Sequence, residues 1–502
     1  MPATPPSRST KPAFAIWCLT LVIVLVVRIL APSDLGQNLD QSKTIAFTLD
    51  MVQNNHWILP VDSLADPTHK PPMVNWFGAP IVAMGFHSEL ALKLPAIISG
   101  ITISILIFFA ARFLFRKLDQ DSLDNADRAI ATHATPLAFL TSAAWFASPS
   151  AIKHIYFMRP DILFAALLVI AWFTSVVLLS NDQPNKPKRL ALLIWLLAAA
   201  AALTKGPLAL LIPLYLLLHI LIITPKGERK PALARTQWQW GIPIMLIIPG
   251  LWLWAAYRIN PDHVTNTLFA KELGSRLGNG GPSGILAAAL ANPAYFFERF
   301  LPWCLPAALA ILFKPSRHLR SHPMGPAILW VLLVLAATTL ASLNAGSYIM
   351  PAYPAAAILA IYALFRIIAS PQAARIKPAF ISLAILIIFS ASLITTREAT
   401  MSRAARTNTG QHIKAFAKSA SQHIQSDQIR FHQMGDLPIA SLMGKHQPAD
   451  INPNPSHHWL IQPTHIDPAA TPILVSDPIV THDPDSGEPI DTTIQIGLYP
   501  IP

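Results

Sequence analysis

The strongest constraint on this chain is a succession of apolar segments that recurs along most of its length. Windows of membrane-spanning length give about eleven of them, several shorter than the ~20 residues that cross a bilayer upright. They run approximately over residues 14–30, 97–115, 136–146, 161–179, 190–203, 207–223, 241–257, 300–313, 327–343, 348–365 and 379–394. Hydrophobic residues make up 53% of the 502 positions and charged residues only 13%, which excludes an ordinary soluble globule. The sequence therefore predicts an all-α, multi-pass membrane protein.

Basic residues collect in every second connection between these segments. They include Arg8, Lys11, Arg112, Arg116, Lys117, Lys186, Lys188, Arg189, Lys226, Arg229, Lys230, Arg235, Lys314, Arg317, Arg320, Arg366, Arg375 and Lys377. Because basic residues of short loops stay in the cytoplasm, this alternation predicts a cytoplasmic amino terminus and an outward-facing carboxyl-terminal tail. The first segment resembles a signal peptide, but no small-residue cleavage site follows it before Asp34, so we expect an uncleaved anchor.

The net charge of +11 is explained mostly by this topology. Its expected partners are anionic headgroups among the membrane lipids, and no nucleic acid partner is expected. The two cysteines, Cys18 and Cys304, lie in or beside apolar segments, so neither a disulfide framework nor a metal cluster is indicated.

Composition changes near residue 396, which predicts two domains. Residues 1–396 form the membrane domain, with outer loops at 32–93, 148–160 and 258–299. Residues 397–502 are rich in charge, histidine and proline and contain the strand-like pieces QIRFH, HWLIQ and TPILVS, which predicts a small α/β domain in the periplasm. No internal repeat is apparent, which argues against a transporter built from inverted halves.

The first outer loop contains THKPPMVNWF, a lysine placed just before a pair of prolines. Prolines do not fit a helix interior, so we expect Pro71 and Pro72 to open the following helix and to fix Lys70 at its mouth. A lysine at the membrane interface suits a lipid-linked phosphate. The alternative is a lysine that only snorkels at a helix boundary. Earlier in the loop, Thr44–Val52 has helical spacing, so Asp40 and Lys43 would lie at the start of a surface helix.

Several motifs together resemble one family. DQSKTIAFTLDMVQNNHWILP, HKPPMVNWFGAP, ELALKLPAI, MRPDILFAALL, LTKGPLALLIPL, KELGSRL, FLPW and YIMPAYPAAAILA follow one another between residues 34 and 365. In order and placement they resemble the bacterial polyprenyl-phosphate-sugar glycosyltransferases, which include the lipid A aminoarabinose transferases and are relatives of the protein O-mannosyltransferases. The resemblance implies a GT-C fold, a helical membrane bundle with a catalytic site in its outer loops. It also implies a sugar donor carried on polyprenyl phosphate, and the tail shows no such likeness.

The resemblance assigns two catalytic carboxylates. The family's Asp-Glu pair aligns with Asp40-Gln41, so Asp40 is the expected general base and only the aspartate is kept. Asp161 is implied as a second active-site acid, and the adjacent Arg159 is expected to meet phosphate. An ionisable pair at the start of a membrane helix indicates function. The alternatives are helix capping by Asp40, and a local ion pair with capping by Asp161.

Other candidates for binding the donor phosphate are Lys205, in LTKGP between two apolar segments, and Arg276, in KELGSRL. A simple turn lysine is the alternative for Lys205. Glu272 and Arg276 lie one helical turn apart, so the alternative for this pair is an ordinary ion pair on the protein surface. His69 stands where relatives often have glutamate, a change that alters or abolishes a metal site. No nucleotide-binding loop is found, and a divalent metal ion is a candidate cofactor without a ligand set.

These expectations converge on an inverting glycosyltransferase of the bacterial inner membrane. It would move a sugar from the polyprenyl-phosphate donor to lipid A, another glycan, a lipid or a protein at the periplasmic face. A transporter or flippase for lipid-linked sugars is the main alternative, which long outer loops with carboxylates disfavour. A third hypothesis is an assembly factor that uses its tail to bind partners.

Overall fold

A computed structural model of the chain describes residues 10–31, 33, 39–62, 66–86, 89–121, 125–180, 187–274, 281–312, 322–343, 345–369, 376–401, 409–423, 429–431, 459–463, 471–477, 479–482 and 489–500. Up to Met401 the described chain is built from helices joined by turns and loops, with an isolated β-bridge between Val61 and Pro67. The first twelve helices are α1 (Thr10–Leu30), α2 (Leu39–Gln53), α3 (Met73–Ala83), α4 (Glu89–Asp121), α5 (Asn125–Thr132), α6 (Ala134–Phe146), α7 (Pro149–His154), α8 (Pro160–Leu179), α9 (Pro187–Lys205), α10 (Leu211–Leu218), α11 (Arg229–Arg235) and α12 (Trp238–Ile259).

The remaining helices begin with a π-helical segment, α13. They are α13 (His263–Gly274), α14 (Gly281–Phe300), α15 (Cys304–Leu312), α16 (Gly325–Leu340), α17 (Tyr353–Ala369), α18 (Ile376–Met401) and α19 (Thr409–His423). Short 3₁₀ segments at Gly206–Leu210, Lys226–Glu228 and Met350–Ala352 and a π turn at His219–Ile223 complete the helical part.

Within the described residues each predicted apolar segment overlaps with helical structure, which confirms the multi-pass helical prediction. Within the described residues, seven helical stretches are long and apolar enough to cross a membrane, and α3, α6 and α16 are shorter apolar helices. The predicted number of about eleven spans stays a prediction, since several short helices reach only part of the way across a bilayer ~30 Å thick.

The middle of the bundle is formed by α6, α8 and α17, whose side chains are almost all buried. Trp172 of α8 stacks on Trp330 of α16 at 6.1 Å between ring centroids, and the Trp330 indole donates to the Pro351 carbonyl. At the periphery, α12 exposes apolar residues such as Leu251 (59%) and Trp254 (62%). In a bilayer this face of α12 contacts lipid tails, so the exposure of its apolar side chains carries no hydration penalty.

The helices α2 and α3 form a compact pair at one end of the bundle. Asn75 of α3 donates to the Thr44 carbonyl at 2.8 Å and to the Thr48 hydroxyl at 3.1 Å. Gly78 allows this approach, because a Cβ there would lie 3.1 Å from Thr48 Cγ2 on α2 and 2.8 Å from the Met158 methyl carbon. Pro72 is the residue before α3, as the proline pair predicts. The pair therefore fixes the chain on both sides of Lys70.

The tail contains α19 and six short strands, β1 (Ile429–Phe431), β2 (Trp459–Pro463), β3 (Leu474–Val475), β4 (Ile479–His482), β5 (Pro489–Ile494) and β6 (Ile496–Pro500). One sheet has the order β1-β2-β6-β3, with β1 parallel to β2 and the other pairs antiparallel, and β4 pairs with β5 separately. Lys414 of α19 forms an ion pair with Glu89 at the start of α4, 3.1 Å apart. The tail thus contacts the end of the bundle that holds α2 and α3.

Candidate functional site

The central residue of the candidate site is Asp40, in the first turn of α2. Its Oδ1 accepts a hydrogen bond from Lys70 Nζ at 3.0 Å, and its Oδ2 accepts one from Arg159 Nη2 at 2.9 Å. The three residues come from three separate parts of the chain, and 119 positions separate Asp40 from Arg159. Folding therefore places one carboxylate between two cations.

A second carboxylate extends this arrangement toward the bundle interior. Asp161 lies in the first turn of α8, behind Pro160 at the position where proline fits best. Its Oδ2 lies 3.2 Å from Arg159 Nε, and its Oδ1 accepts a hydrogen bond from Lys205. Lys205 ends α9, and its ammonium lies 4.4 Å from the centroid of the Tyr348 ring.

Together these residues form a line of alternating charge, Lys70–Asp40–Arg159–Asp161–Lys205, which we name the ion-pair chain. The Lys70 end is the more accessible one, because the side chains of Lys70 and Asp40 are 29% and 34% exposed, whereas those of Asp161 and Lys205 are 1% and 10% exposed. Solvent or a ligand therefore reaches the Lys70 end, while the other end is enclosed.

Backbone contacts hold Arg159 in place. Gln41 Oε1 accepts a hydrogen bond from the Met158 backbone N–H at 3.0 Å, which ties α2 to the turn before α8. Arg159 itself has the extended backbone expected of a residue that precedes a proline. Gln41 stands where the resemblance expects a glutamate, and its amide oxygen fulfils this positioning role as a neutral acceptor.

The pKa of Asp40 reflects competing effects. Burial alone would raise it, but the positive charges of Lys70 and Arg159 outweigh burial and hold the pKa of Asp40 below its ordinary value. The stabilisation from these pairs is therefore complete above the ordinary carboxyl pKa and is lost as the pH falls through the lowered value. At neutral pH Asp40 is an ionised acceptor.

His154, at the end of α7, is fully enclosed beside the site. Burial lowers its pKa to about 3, against a smaller opposing effect from Asp161. It is neutral at pH 7, and its Nδ1 lies 2.8 Å from the Ser150 carbonyl oxygen. A neutral ring adds no charge to the ion-pair chain.

The other predicted site residues fall in several places. Lys43 and His69 line a narrow cleft beside Asp40 and Lys70, and Lys43 Nζ lies 3.2 Å from Asp62 Oδ2. Glu272 lies on α13, of which only the backbone is described at this position, and Arg276 lies outside the described residues. Within the described chain no group of three His, Cys, Asp or Glu residues could hold a metal ion. The possible divalent cofactor therefore has no ligand set among these residues.

Sequence reasoning missed Gln41, His154 and Tyr348 as parts of the site. Tyr348 does lie in the motif YIMPAYPAAAILA, so its place in the resemblance was a usable signal. Gln41 also lies in a motif of the resemblance, at the position of the family's glutamate, but its role as an acceptor for a backbone N–H is recognised only from its surroundings. His154 gives no such signal, because a buried neutral ring is not apparent from the sequence.

The helical bundle, with its charged site at one end, has the GT-C fold of membrane glycosyltransferases, as the resemblance implied. The structure of ArnT from Cupriavidus metallidurans bound to undecaprenyl phosphate is similar to this chain with a TM-score of 0.65 and 16% identity, covering 95% of this chain and 97% of that one. The apo state of the same ArnT gives a TM-score of 0.64 over the same shares.

A second GT-C structure and one sequence relative extend the comparison. The Archaeoglobus fulgidus oligosaccharyltransferase tethered with an acceptor peptide has a TM-score of 0.53 and 11% identity, over 90% of this chain and 69% of that one. An uncharacterized protein of Aquifex aeolicus (strain VF5) is 23% identical over 354 residues, 68% of this chain. The match spans 62% of that relative's length. No family model matches the chain.

Proposed function

We propose that this protein is an inverting glycosyltransferase that takes a sugar from a polyprenyl-phosphate donor. The observation that carries the proposal is the ion-pair chain, which gathers three cations and two carboxylates at one end of a membrane bundle. The GT-C fold and the undecaprenyl phosphate bound by ArnT support the same donor class.

The donor phosphate would bind first at Lys70, the most accessible cation, and then engage Arg159. Both residues suit a phosphate, arginine through its fork of donors and lysine as a point charge. Lys205 lies deeper and is fixed by Asp161 and Tyr348. We assign it to holding Asp161 and Arg159 in position as well as to the attraction of phosphate, and Arg276 remains a further proposed phosphate ligand.

In the transfer step, a hydroxyl oxygen of the acceptor attacks the anomeric carbon of the sugar. The bond between that carbon and the phosphate oxygen breaks, polyprenyl phosphate leaves with both bonding electrons, and the acceptor proton passes to Asp40. The configuration at the anomeric carbon inverts in this single displacement. Lys70 and Arg159 stabilise the negative charge that develops on the leaving phosphate.

The paired state of Asp40 supplies a coupling between donor binding and catalysis. Two cations hold its pKa low, which makes it a weak base before the donor binds. A phosphate that draws Lys70 and Arg159 toward itself removes that stabilisation, so the pKa of Asp40 rises. The base thereby strengthens only when a donor is present.

The proposal extends to domains, place and acceptor. Residues 1–396 would form the catalytic membrane domain and residues 397–502 a periplasmic domain, in a bacterial inner membrane with a cytoplasmic amino terminus. The acceptor would be lipid A, another glycan, a lipid or a protein at the periplasmic face. Mass spectrometry of envelope lipids and glycans from cells with and without the gene would identify the sugar and the acceptor together.

The test separates binding from chemistry at two residues. Lys70→Ala should weaken binding of polyprenyl phosphate to the purified protein, measured by native mass spectrometry, because it removes the accessible cation. Asp40→Asn should leave binding largely intact and lower transfer by ~10²–10³, roughly 3–4 kcal/mol. Transfer is measured as restoration of the missing sugar in cells that lack the gene.

Two matched controls lie outside the ion-pair chain. Lys226→Ala and Asp262→Asn remove the same charges from exposed positions outside the ion-pair chain and should match the wild type. Normal transfer by well-folded Asp40→Asn protein would refute its role as base. An unchanged envelope profile with accumulation of donor on the cytoplasmic side would instead support the flippase alternative.

A further inference from the structure

Lys153, on α7, is a half-buried cation that no ion pair or hydrogen bond joins to any described residue. The helix α7 packs against both α14 and α18, so the lysine is enclosed by protein rather than by bulk water. A half-buried ammonium without an ion-pair partner in contact is costly, because it loses part of its hydration and regains little of that energy from more distant acids.

Arg299, near the end of α14, is a second basic group in this region. Its Nε is buried without a hydrogen-bond partner in the described chain, and its nearest acid is the neighbouring Glu298, 3.4 Å away and 62% exposed. A Cβ placed on Gly346 would lie 3.4 Å from Arg299 Cγ. The aliphatic part of the Arg299 side chain therefore contacts the turn that also carries Tyr348. The ring of Tyr348 in turn contacts the Lys205 ammonium.

The two cations act on each other. Burial lowers the pKa of Lys153, and among charged groups the positive charge of Arg299 contributes most to that lowering, followed by Arg159. Glu398 and Glu298 oppose the shift, but they do not cancel it. Like charges held together in a partly enclosed place repel, and an anion between them would relieve both the repulsion and the lost hydration.

We propose that Lys153 and Arg299 form a second anion-binding subsite, which takes a phosphoryl or carboxylate group of the acceptor substrate. This inference rests on the proposed function. The position fits an acceptor, because Lys153 precedes Arg159 by six residues and Arg299 contacts the turn of Tyr348. The donor phosphate is assigned instead to Lys70, in the connection between α2 and α3, and to Arg159. Lys153 and Arg299 are therefore free for a group of the acceptor.

Inorganic phosphate is the probe for this subsite, titrated by calorimetry into purified protein in detergent. The Lys70→Ala protein is the background, so that the accessible donor cation does not dominate. We expect this protein to bind phosphate, and Lys153→Gln or Arg299→Gln added to it should weaken binding about tenfold or more, as for the loss of a charge-assisted contact. Carboxylate binding is measured in the same way with glucuronate.

Two further variants distinguish a charged subsite from a packing effect. Lys153→Arg keeps the positive charge and should retain most of the affinity, whereas Arg258→Gln removes an exposed charge from α12 and should leave affinity unchanged. Thermal unfolding of each variant verifies that it is folded.

Absence of phosphate and glucuronate binding in the Lys70→Ala protein would overturn the subsite, as would equal affinity in the Lys153→Gln and Arg299→Gln proteins. Because these measurements need no sugar transfer, failure of the subsite is separate from failure of the proposed activity. The ratio of the phosphate affinity to the glucuronate affinity indicates whether the subsite prefers a phosphoryl or a carboxylate group.

Discussion

Asp161 is the most enclosed residue of the ion-pair chain, and its charge is needed by both Arg159 and Lys205. Asp161→Asn keeps the shape but leaves two cations without their shared partner, one of them almost buried. We expect a loss of about 3–5 kcal/mol in stability, as for a broken buried pair. The measurement is thermal and denaturant unfolding of the purified protein.

A second substitution tests whether the cause is charge. In the double variant Asp161→Asn, Lys205→Met the stranded ammonium is also removed, so part of the stability should return. Asp262→Asn, at an exposed position, should be neutral. Equal losses for the single and double variants would contradict the explanation.

His154 gives a prediction about pH. Its native pKa of about 3 lies below the ordinary value of 6.5, since burial disfavours the charged ring. Below pH 6.5 the unfolded chain takes up a proton that the native protein does not. Stability therefore falls on acidification, by up to ~1.4 kcal/mol per pH unit from this residue until the native pKa is reached.

The variant His154→Gln should lose this contribution. Between pH 6.5 and 4.5 the free energy of unfolding should decline less steeply in the variant than in the wild type, and their difference isolates His154 from the other histidines. Parallel pH profiles would show that His154 is protonated in the native protein.

At the scale of elements, the contact between α9 and α12 depends on a missing side chain. Gly241 lies against Trp195, and a Cβ at this glycine would fall 2.0 Å from the indole ring. The same indole donates to the Thr236 carbonyl at 2.8 Å, which restrains its movement. Small residues at helix contacts are the usual way for membrane helices to approach closely.

Gly241→Ala should therefore separate the two helices and lower stability by about 1–3 kcal/mol or more through overpacking. Gly250→Ala is the matched control in the same helix, because nothing lies within 4 Å of a Cβ there. It should be neutral or slightly stabilising, since alanine favours a helix. Thermal unfolding in detergent measures both, and equal effects would contradict the role of the Trp195 contact.

At the scale of the molecule, the two ends of the bundle differ in character. The ion-pair chain and α19 lie at one end, while Asp127, Tyr362, Arg366 and His322 form a separate hydrogen-bonded cluster at the other. Lys117 lines a cavity with His322 at the second end, and Arg366 belongs to the cluster there. Because both are basic residues, the positive-inside rule predicts that the ion-pair chain, at the opposite end, faces the periplasm.

Cysteine labelling tests this orientation. The background protein has Cys18 and Cys304 replaced by alanine, and it is studied in intact inner-membrane vesicles whose periplasmic face is outward. An impermeant thiol reagent added outside these vesicles should label Asp66→Cys. Gly227→Cys should react only after permeabilisation. Both positions are exposed, and a Cβ at Gly227 meets nothing within 4 Å. The reverse labelling pattern would place the site in the cytoplasm.

The sequence by itself determined the class and most of the elements. Length and polarity of the apolar segments fix the helices, because a backbone in a bilayer must satisfy its own hydrogen bonds. The motifs also led to Asp40, Lys70, Arg159, Asp161 and Lys205. Their resemblance to a family carried that selection, since a lone lysine or aspartate at a helix boundary is equally typical of capping or snorkelling.

Only the tertiary structure decided how these residues meet. Ion pairing depends on distances between atoms far apart in sequence, such as Asp40 and Arg159, and no local pattern encodes that separation. The same holds for Gln41, whose amide fixes the turn before Arg159. It holds also for Arg299, whose buried Nε has no hydrogen-bond partner among the described residues. Burial and electrostatic energy belong to the assembled bundle, because each charge takes its dielectric environment from helices contributed by other parts of the chain.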